Sequence, residues 1–144
     1  MPTIGIVGAE NSHTVAIAKT INIQKLVRGF SVTHVWGETS KYAKDAQERG
    51  QIPNIVKNPE DMIGQVDAAL VDHRHAIYHL PAVRPLLEAK IPLFVDKPFS
   101  YRVKEGREFL DLAKKLGVPV CSFSTLPKQA SFVQLTKDAR KLGK

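Results

Sequence analysis

The segment Thr3-Ile4-Gly5-Ile6-Val7-Gly8-Ala9-Glu10-Asn11-Ser12-His13 decides the predicted fold. Its first five residues form a short apolar run that ends at a glycine, which is typical of a buried strand. Asn11 or Ser12 can then cap a helix that continues through residues 14–19. A buried strand followed at once by a helix is the first half of a βαβ unit, so the segment predicts an α/β domain.

The rest of the chain repeats this alternation. Further strands are predicted at residues 31–36, 55–56, 66–71, 92–95 and 118–123, and helices at 41–49, from 59, at 80–89, at 103–116 and from 127 to 142. Alternation at this short spacing favours right-handed crossovers and a mostly parallel sheet. The predicted fold class is therefore a doubly wound, Rossmann-type α/β sheet of about six strands with flanking helices.

Length and composition predict one soluble domain that spans residues 1–144. No apolar run approaches the roughly 18–20 residues that a membrane span needs, and the first residues lack the basic region of a signal peptide. The one cysteine, Cys121, excludes an intrachain disulfide and a cysteine-based zinc site. We expect a reduced, cytoplasmic setting, with Cys121 buried in the sixth strand and Trp36 in the core.

The chain has a net charge of +7, from 21 Lys and Arg against 14 Asp and Glu. These cations are spread along predicted helices, as Lys104, Lys114 and Lys137 illustrate, and no basic stripe alternates with aromatic residues. We therefore expect neither a nucleic-acid nor a membrane partner. The basic excess would also suit an anionic dinucleotide.

Ligands of such sheets bind outside the carboxyl ends of the strands, so Gly8–His13 stands where a glycine-rich phosphate loop belongs. Only the first of three glycines, Gly8, is present, because Glu10 and His13 take the other two positions. Asn11, Ser12 and His13 offer donors to a phosphate, whereas a carboxylate at Glu10 would repel one. Phosphate binding and an ordinary capped helix both remain open.

Glu38 follows the second predicted strand by two residues. A carboxylate near this position can accept hydrogen bonds from both hydroxyls of an adenosine ribose. The same residue can also be a first-turn acid that stabilises the helix dipole. The sequence leaves these two roles open.

The densest polar cluster follows the fourth strand and comprises Asp72, His73, Arg74, His75, Tyr78 and His79. Loops at the carboxyl ends of strands often carry function. A His-x-His pair with a nearby aspartate can bind a metal, but no familiar ligand set is complete. We predict no metal, and keep a metal-dependent site on Asp72, His73, His75 and His79 as an alternative.

Asp96-Lys97-Pro98 follows the fifth strand. A lysine at this edge can polarise a carbonyl or hydroxyl group. The alternative role of Lys97 is a salt bridge with Asp96.

Taken together, these residues resemble the glucose–fructose oxidoreductase / inositol dehydrogenase (Gfo/Idh/MocA) family. Asp96-Lys97-Pro98 is similar to the Glu-Lys-Pro signature of that family, and His79 precedes Asp96 by 17 residues, as the family's loop histidine precedes its glutamate. Residues 87–92 and 112–120 resemble the family's segments on either side of this signature. The resemblance covers the N-terminal domain, from Ile4 to about Leu142.

The resemblance implies an NAD- or NADP-dependent oxidoreductase that acts on a sugar, cyclitol or similar polyol. It places Lys97 near the nicotinamide and the reacting hydroxyl, with His79 shaping that pocket, so these two are the catalytic candidates. The loop Gly8–His13 would meet the pyrophosphate and Glu38 the ribose. The remaining expected cofactor contacts are Asp72, His73, His75, Asp96 and Lys97.

The sequence departs from the family pattern at the glycines, at the ribose acid, and at His75-Ala76 in place of Pro-Asn. The family's second domain, which carries the catalytic histidine and the oligomer sheet, is absent. We therefore expect a fragment of a longer, homo-oligomeric enzyme, inactive by itself. Glu10 and His13 motivate the alternative of a binding or regulatory module that has lost the dinucleotide.

Overall fold

Six parallel strands form one sheet in the order β3-β2-β1-β4-β5-β6 in a computed structural model that describes residues 1–141. The order reverses between β1 and β4, which is the switch point where such folds bind ligands. This sheet confirms the predicted Rossmann-type class. The strands are β1 Thr3–Val7, β2 Ser31–Trp36, β3 Asn54–Ile55, β4 Ala68–Val71, β5 Leu93–Val95 and β6 Val120–Cys121.

Five α-helices connect or flank these strands: α1 Ser12–Ala18, α2 Ser40–Gly50, α3 His79–Glu88, α4 Val103–Leu116 and α5 Ala130–Lys141. A π-helical turn at Lys19–Ile23 extends α1, and 3-10 turns lie at Pro59–Met62, Ala76–Tyr78 and Leu126–Lys128. No helix within residues 1–141 is both long and apolar enough to cross a membrane.

Most helix ends follow the predicted capping residues. The Asn11 side chain accepts the His13 N–H, and Gly117 closes α4 with φ of +71°. The predicted stop of α2 at Gly50 is wrong by one residue, because Gln51 adopts the left-handed conformation instead, with φ of +50°. Gly50 lies inside the helix, where a Cβ atom would stand only 2.6 Å from the Ala18 Cβ.

The core has one layer on each face of the sheet. Ile6 packs with α1, α2 and β2, whereas its neighbour Val7 packs with α3, α4 and β5. Both faces of β1 are therefore apolar, which explains its continuous apolar run instead of an alternating pattern.

The C-terminal part departs most from the sequence-based expectation. The sixth strand is confined to Val120–Cys121, and Cys121 is exposed, contrary to prediction, because β6 is the edge strand. An apolar cavity of about 320 Å³ lies on the sheet face beside it, between Ile4, Leu70 and Phe94. None of the residues in α5 is buried, and predicted helix residue Leu142 lies outside the described residues.

Candidate functional site

The loops after β1 and β4 meet backbone to backbone at the switch point. Gly8 has a φ of +111°, and a Cβ atom there would lie 2.6 Å from the His73 nitrogen and 2.7 Å from the Asp72 carbonyl carbon. Only glycine fits both the conformation and the space. The one fingerprint glycine that the sequence retains is thus the one that lets the two loops touch.

Glu38 binds the loop that was predicted to receive a phosphate. Its Oε2 accepts the Ala9 N–H at 2.8 Å and the Glu10 N–H at 2.9 Å. These two donors are therefore taken by the chain's own carboxylate. The other oxygen, Oε1, is buried and has no hydrogen-bond partner within residues 1–141.

Glu38 opens into a cavity of about 350 Å³, here called the Glu38 cavity. His73, which is 4% exposed, has a second buried atom, Nδ1, that lacks a hydrogen-bond partner in the described part of the chain, residues 1–141. Burial lowers the pKa of His73 even though the Glu38 carboxylate acts to raise it, so the ring is neutral at physiological pH. The lining residues are Glu10, Trp36, Glu38, His73, Arg74, His75 and Tyr78.

Aromatic rings form one wall of the Glu38 cavity. The Trp36 ring centroid lies 5.4 Å from that of His73, and the Tyr78 centroid lies 6.1 Å from it. Trp36, predicted to lie in the core, is half-buried: it packs against the core and also lines this opening. Its position as the last residue of β2, at the carboxyl edge, was the signal that sequence reasoning overlooked.

Charged residues stand around the same cavity. The Glu10 carboxylate lies 3.7 Å from Arg74 Nη1, so its charge is partly balanced by a cation. His75 is exposed and also lines the cavity. Ser12 is exposed at the first residue of α1.

A buried polar network lies behind the loop and centres on Asp72, which is 2% exposed. Its Oδ1 accepts the Asn11 Nδ2–H at 3.0 Å, and its Oδ2 lies 2.8 Å from the Thr14 hydroxyl. The same hydroxyl is 2.9 Å from the Gly8 carbonyl oxygen. Because a hydroxyl has one hydrogen, the Asp72 carboxyl and the Gly8 carbonyl share the Thr14 hydroxyl as a donor.

The pKa of the Asp72 carboxyl is raised to about 7. Burial is the largest cause, and the Asp96 carboxylate acts in the same direction. The Thr14 hydrogen bond and the positive charges of His13 and Lys97 act in the opposite direction. Asp72 therefore exchanges its proton near neutral pH.

Asp96 joins His13 to Lys97. The Asp96 Oδ2 atom lies 3.2 Å from His13 Nδ1 and 3.6 Å from Lys97 Nζ. The predicted contact between Lys97 and Asp96 is therefore present. All three line a second opening of about 270 Å³, here called the Lys97 cavity, whose other lining residues are Ala16, Ile17, Phe94, Phe123, Ser124 and Thr125.

The metal alternative predicted on Asp72, His73, His75 and His79 is not supported. Within residues 1–141, one group of three His, Cys, Asp or Glu residues has ligand atoms within 4.8 Å of one another, and it is His13, Asp72 and Asp96. The Asn11 amide and the Lys97 ammonium already lie against those carboxylates. The chain's own donors thus already contact both carboxylates of the group.

His79 is wholly enclosed, with 0% exposure. Its Nε2 lies 2.8 Å from the His73 carbonyl oxygen, and its Nδ1 lies 3.1 Å from that of Pro98. The enclosed ring is compatible with the predicted part of His79 in shaping the pocket, and its place among the catalytic candidates stays a prediction. The ring holds the loop after β4 against the loop after β5.

Comparison with known families gives one match over most of the chain. A model of the oxidoreductase family GFO_IDH_MocA, described as an NAD-binding Rossmann fold, matches residues 3–123. The curated proteins yield no significant match.

Solved structures share the fold across nearly the whole chain. A probable dehydrogenase from Thermotoga maritima aligns with a TM-score of 0.79 at 19% identity, over 96% of this chain and 41% of its own. An apo scyllo-inositol dehydrogenase from Lactobacillus casei gives 0.81 at 16% identity, over 99% and 43%. An oxidoreductase from Agrobacterium radiobacter, solved with NAD⁺, L-tartaric acid and magnesium, gives 0.79 at 14% identity, over 99% and 40%. The chain thus spans about two fifths of the length of these proteins.

Proposed function

Because the chain belongs to the Gfo/Idh/MocA oxidoreductase family, whose Rossmann fold binds NAD, we propose that it is the dinucleotide-binding part of an enzyme that oxidises or reduces a polyol. The observation that carries this proposal is the unpartnered, buried Oε1 atom of Glu38. A buried acceptor without a donor is costly, and a ribose hydroxyl supplies the missing donor.

The Glu38 cavity suits the adenosine end of a dinucleotide. Trp36 and Tyr78 offer aromatic faces against which a flat base can stack. The neutral His73 ring adds a buried polar atom, Nδ1, that an adenine edge or ribose oxygen can reach. Glu38 would then hold the loop with one oxygen and the ribose with the other.

The Lys97 cavity suits the reacting end. The cofactor supplies hydride transfer when it is bound, which leaves the protein to bind and orient the substrate. Lys97 is half-exposed at this opening, so its ammonium can donate a hydrogen bond to a substrate oxygen. His79 and Asp96 hold the segment that carries Lys97.

The substrate class rests on the family and on two of its solved members. One is named a scyllo-inositol dehydrogenase, and another was solved with L-tartaric acid. Both compounds carry hydroxyl groups on neighbouring carbon atoms. A polyol or hydroxy acid is accordingly the class that we propose for the Lys97 cavity.

The charge at Glu38 favours NAD⁺ over NADP⁺. A 2′-phosphate on the ribose would meet a carboxylate that two backbone donors hold in place. Arg74, a cation of the same cavity, lies beside Glu10 and is partly neutralised by it. We therefore expect the unphosphorylated ribose to bind more tightly.

Calorimetric titration of the 144-residue chain with NAD⁺ and NADP⁺ tests the proposal. We expect saturable NAD⁺ binding and a Glu38→Gln variant that loses about 10- to 150-fold in NAD⁺ affinity, since a hydrogen bond to a charged group contributes about 1.5–3 kcal/mol. Asp45→Asn is the matched control, because Asp45 is an exposed acid of α2 that pairs with Arg49. Failure of the native chain to bind either dinucleotide would contradict the proposal.

A further inference from the structure

His13 occupies the position of the third fingerprint glycine, yet its side chain serves the Lys97 cavity. The ring is 45% exposed and lines that cavity together with Asp96 and Lys97. Its Nδ1 lies 3.2 Å from Asp96 Oδ2, and Asp96 is only 8% exposed. A half-exposed imidazole is thus anchored on one side by a buried carboxylate.

This anchor fixes which ring nitrogen carries the proton in the neutral form. A carboxylate accepts but does not donate, so Asp96 selects the tautomer with hydrogen on Nδ1. The second acid near this nitrogen, Asp72, lies 3.6 Å away and receives the Asn11 amide on the same Oδ1 atom. No hydrogen bond within residues 1–141 engages His13 Nε2, whose lone pair remains available.

Lys97 cannot supply the same chemistry. In its ammonium form Lys97 has three donors and no acceptor, so in that form it holds a substrate oxygen and does not take a proton from it. An imidazole with a free Nε2 can take that proton, and a carboxylate on Nδ1 stabilises the charge that results. The two side chains meet at one oxygen of Asp96.

We propose that His13 is a catalytic residue of the Lys97 cavity, an acid–base group that Asp96 orients and that exchanges the proton of the substrate hydroxyl. The inference rests on the proposed function above. In oxidation, the O–H bond breaks and its proton passes to His13 Nε2. The adjacent C–H bond breaks with transfer of hydride to the nicotinamide of the dinucleotide, and a carbonyl group forms. In reduction, the hydride returns to the carbonyl carbon and the proton returns from His13 Nε2 to the oxygen.

The ring tautomer provides a test that needs no turnover. Long-range ¹H–¹⁵N spectra of the free 144-residue chain should show His13 in the Nδ1–H form at a pH where its ring is neutral. Asp96→Ala should convert it to a mixture, while the signals of His34, which contacts Thr33 on β2, stay in place. A native His13 with its proton on Nε2 would overturn the inference.

A pair of ligands separates this inference from the proposed function. NAD⁺ and ADP-ribose share the adenosine and the pyrophosphate, and only NAD⁺ carries nicotinamide. Both should shift the amide signals of Ala9 and Glu38, and only NAD⁺ should shift the His13 ring. If neither ligand shifts any signal, the proposed function fails. If both act at Glu38 and NAD⁺ leaves His13 unchanged, the inference about His13 alone fails.

Chemical modification tests whether Nε2 is free to accept a proton. Diethyl pyrocarbonate, which attacks unprotonated imidazole nitrogens, should modify His13 and leave the enclosed His79 intact, as mass spectrometry can show. NAD⁺ should protect His13 by at least severalfold, and ADP-ribose should protect it much less. Equal protection by the two ligands, or no modification of His13, would contradict the assignment.

Discussion

The two cavities at the carboxyl edge of the sheet differ in how their polar groups are satisfied. In the Glu38 cavity, Glu38 Oε1 and His73 Nδ1 are buried and have no hydrogen-bond partner within residues 1–141. In the Lys97 cavity, His13 and Lys97 are each paired with Asp96. We propose that a ligand completes the first region, whereas the polar groups of the second already contact one another.

This difference assigns the two regions different tasks. Unpartnered buried polar atoms are rare in folded proteins, and a ligand that pairs with them gains affinity and specificity. A network of ionisable groups that share oxygen atoms can transfer a proton or stabilise the charge that a transfer leaves. Our proposal therefore assigns recognition of the dinucleotide to the Glu38 side and proton chemistry to the Lys97 side.

The largest expected effect is at Gly8, which lies against Asp72 and His73 and so separates the two regions. Gly8→Ala should lower the free energy of unfolding by on the order of 3–5 kcal/mol, because the new Cβ meets backbone atoms at a strained φ. Gly29→Ala is the control, since Gly29 also has positive φ but open space around it. It should cost only about 1–2 kcal/mol. If urea unfolding shows equal losses of unfolding free energy in the two variants, the close approach at Gly8 does not contribute to stability.

A pH-dependent effect is expected at Asp72. Its pKa is about 7 in the folded chain against 3.8 for a free side chain, so the folded state binds the extra proton between those values. Stability from this group is present below about pH 4 and is lost as the pH rises towards 7, at about 1.4 kcal/mol per pH unit. Asp72→Asn, measured by urea unfolding from pH 4 to 8, should therefore gain on the native chain as the pH rises.

Asp67 is the control, because its expected pH dependence of stability has the opposite sign to that of Asp72. Hydrogen bonds from the backbone N–H and the hydroxyl of Thr3 lower the pKa of Asp67. Asp67→Asn should therefore lose stability relative to the native chain above pH 4, and the loss should vanish in acid. A difference between Asp72→Asn and the native chain that does not vary with pH would contradict the protonated state assigned to Asp72.

The smallest effect is expected at Arg74. Its contact with Glu10 is an exposed ion pair with a separation of 3.7 Å, and such pairs contribute about 0–1 kcal/mol. Arg74→Ala should leave the free energy of unfolding within about 0.5 kcal/mol of the native value. It should not improve NADP⁺ binding. A marked loss of NADP⁺ affinity would instead identify Arg74 as a phosphate-binding residue.

Sequence patterns predict the sheet well where local chemistry decides it. The residues of β1, β2 and α4 are predicted to the residue, because apolar runs and caps such as Gly117 mark their bounds. The edge strand β6 is overestimated, since periodicity cannot tell how far a strand is paired. Its place at the edge also explains the exposure of Cys121.

The candidate site was predicted as a set of positions and not as a set of contacts. Carboxyl-edge placement correctly brings Glu38, Asp96 and Lys97 to one side of the sheet. It cannot show that Glu38 reaches back 28 residues to the Glu10 amide, or that His13 turns towards Asp96. Thr14 was missed because a threonine in a helix gives no sign of a distant aspartate partner.

A crystal structure of the 144-residue chain with NAD⁺ tests the division between the two regions most directly. It should place the adenosine ribose within hydrogen-bonding distance of Glu38 Oε1 and the nicotinamide in the Lys97 cavity, beside His13. Density for the dinucleotide in the apolar cavity beside Ile4 and Leu70, or with the adenosine at Lys97, would contradict it.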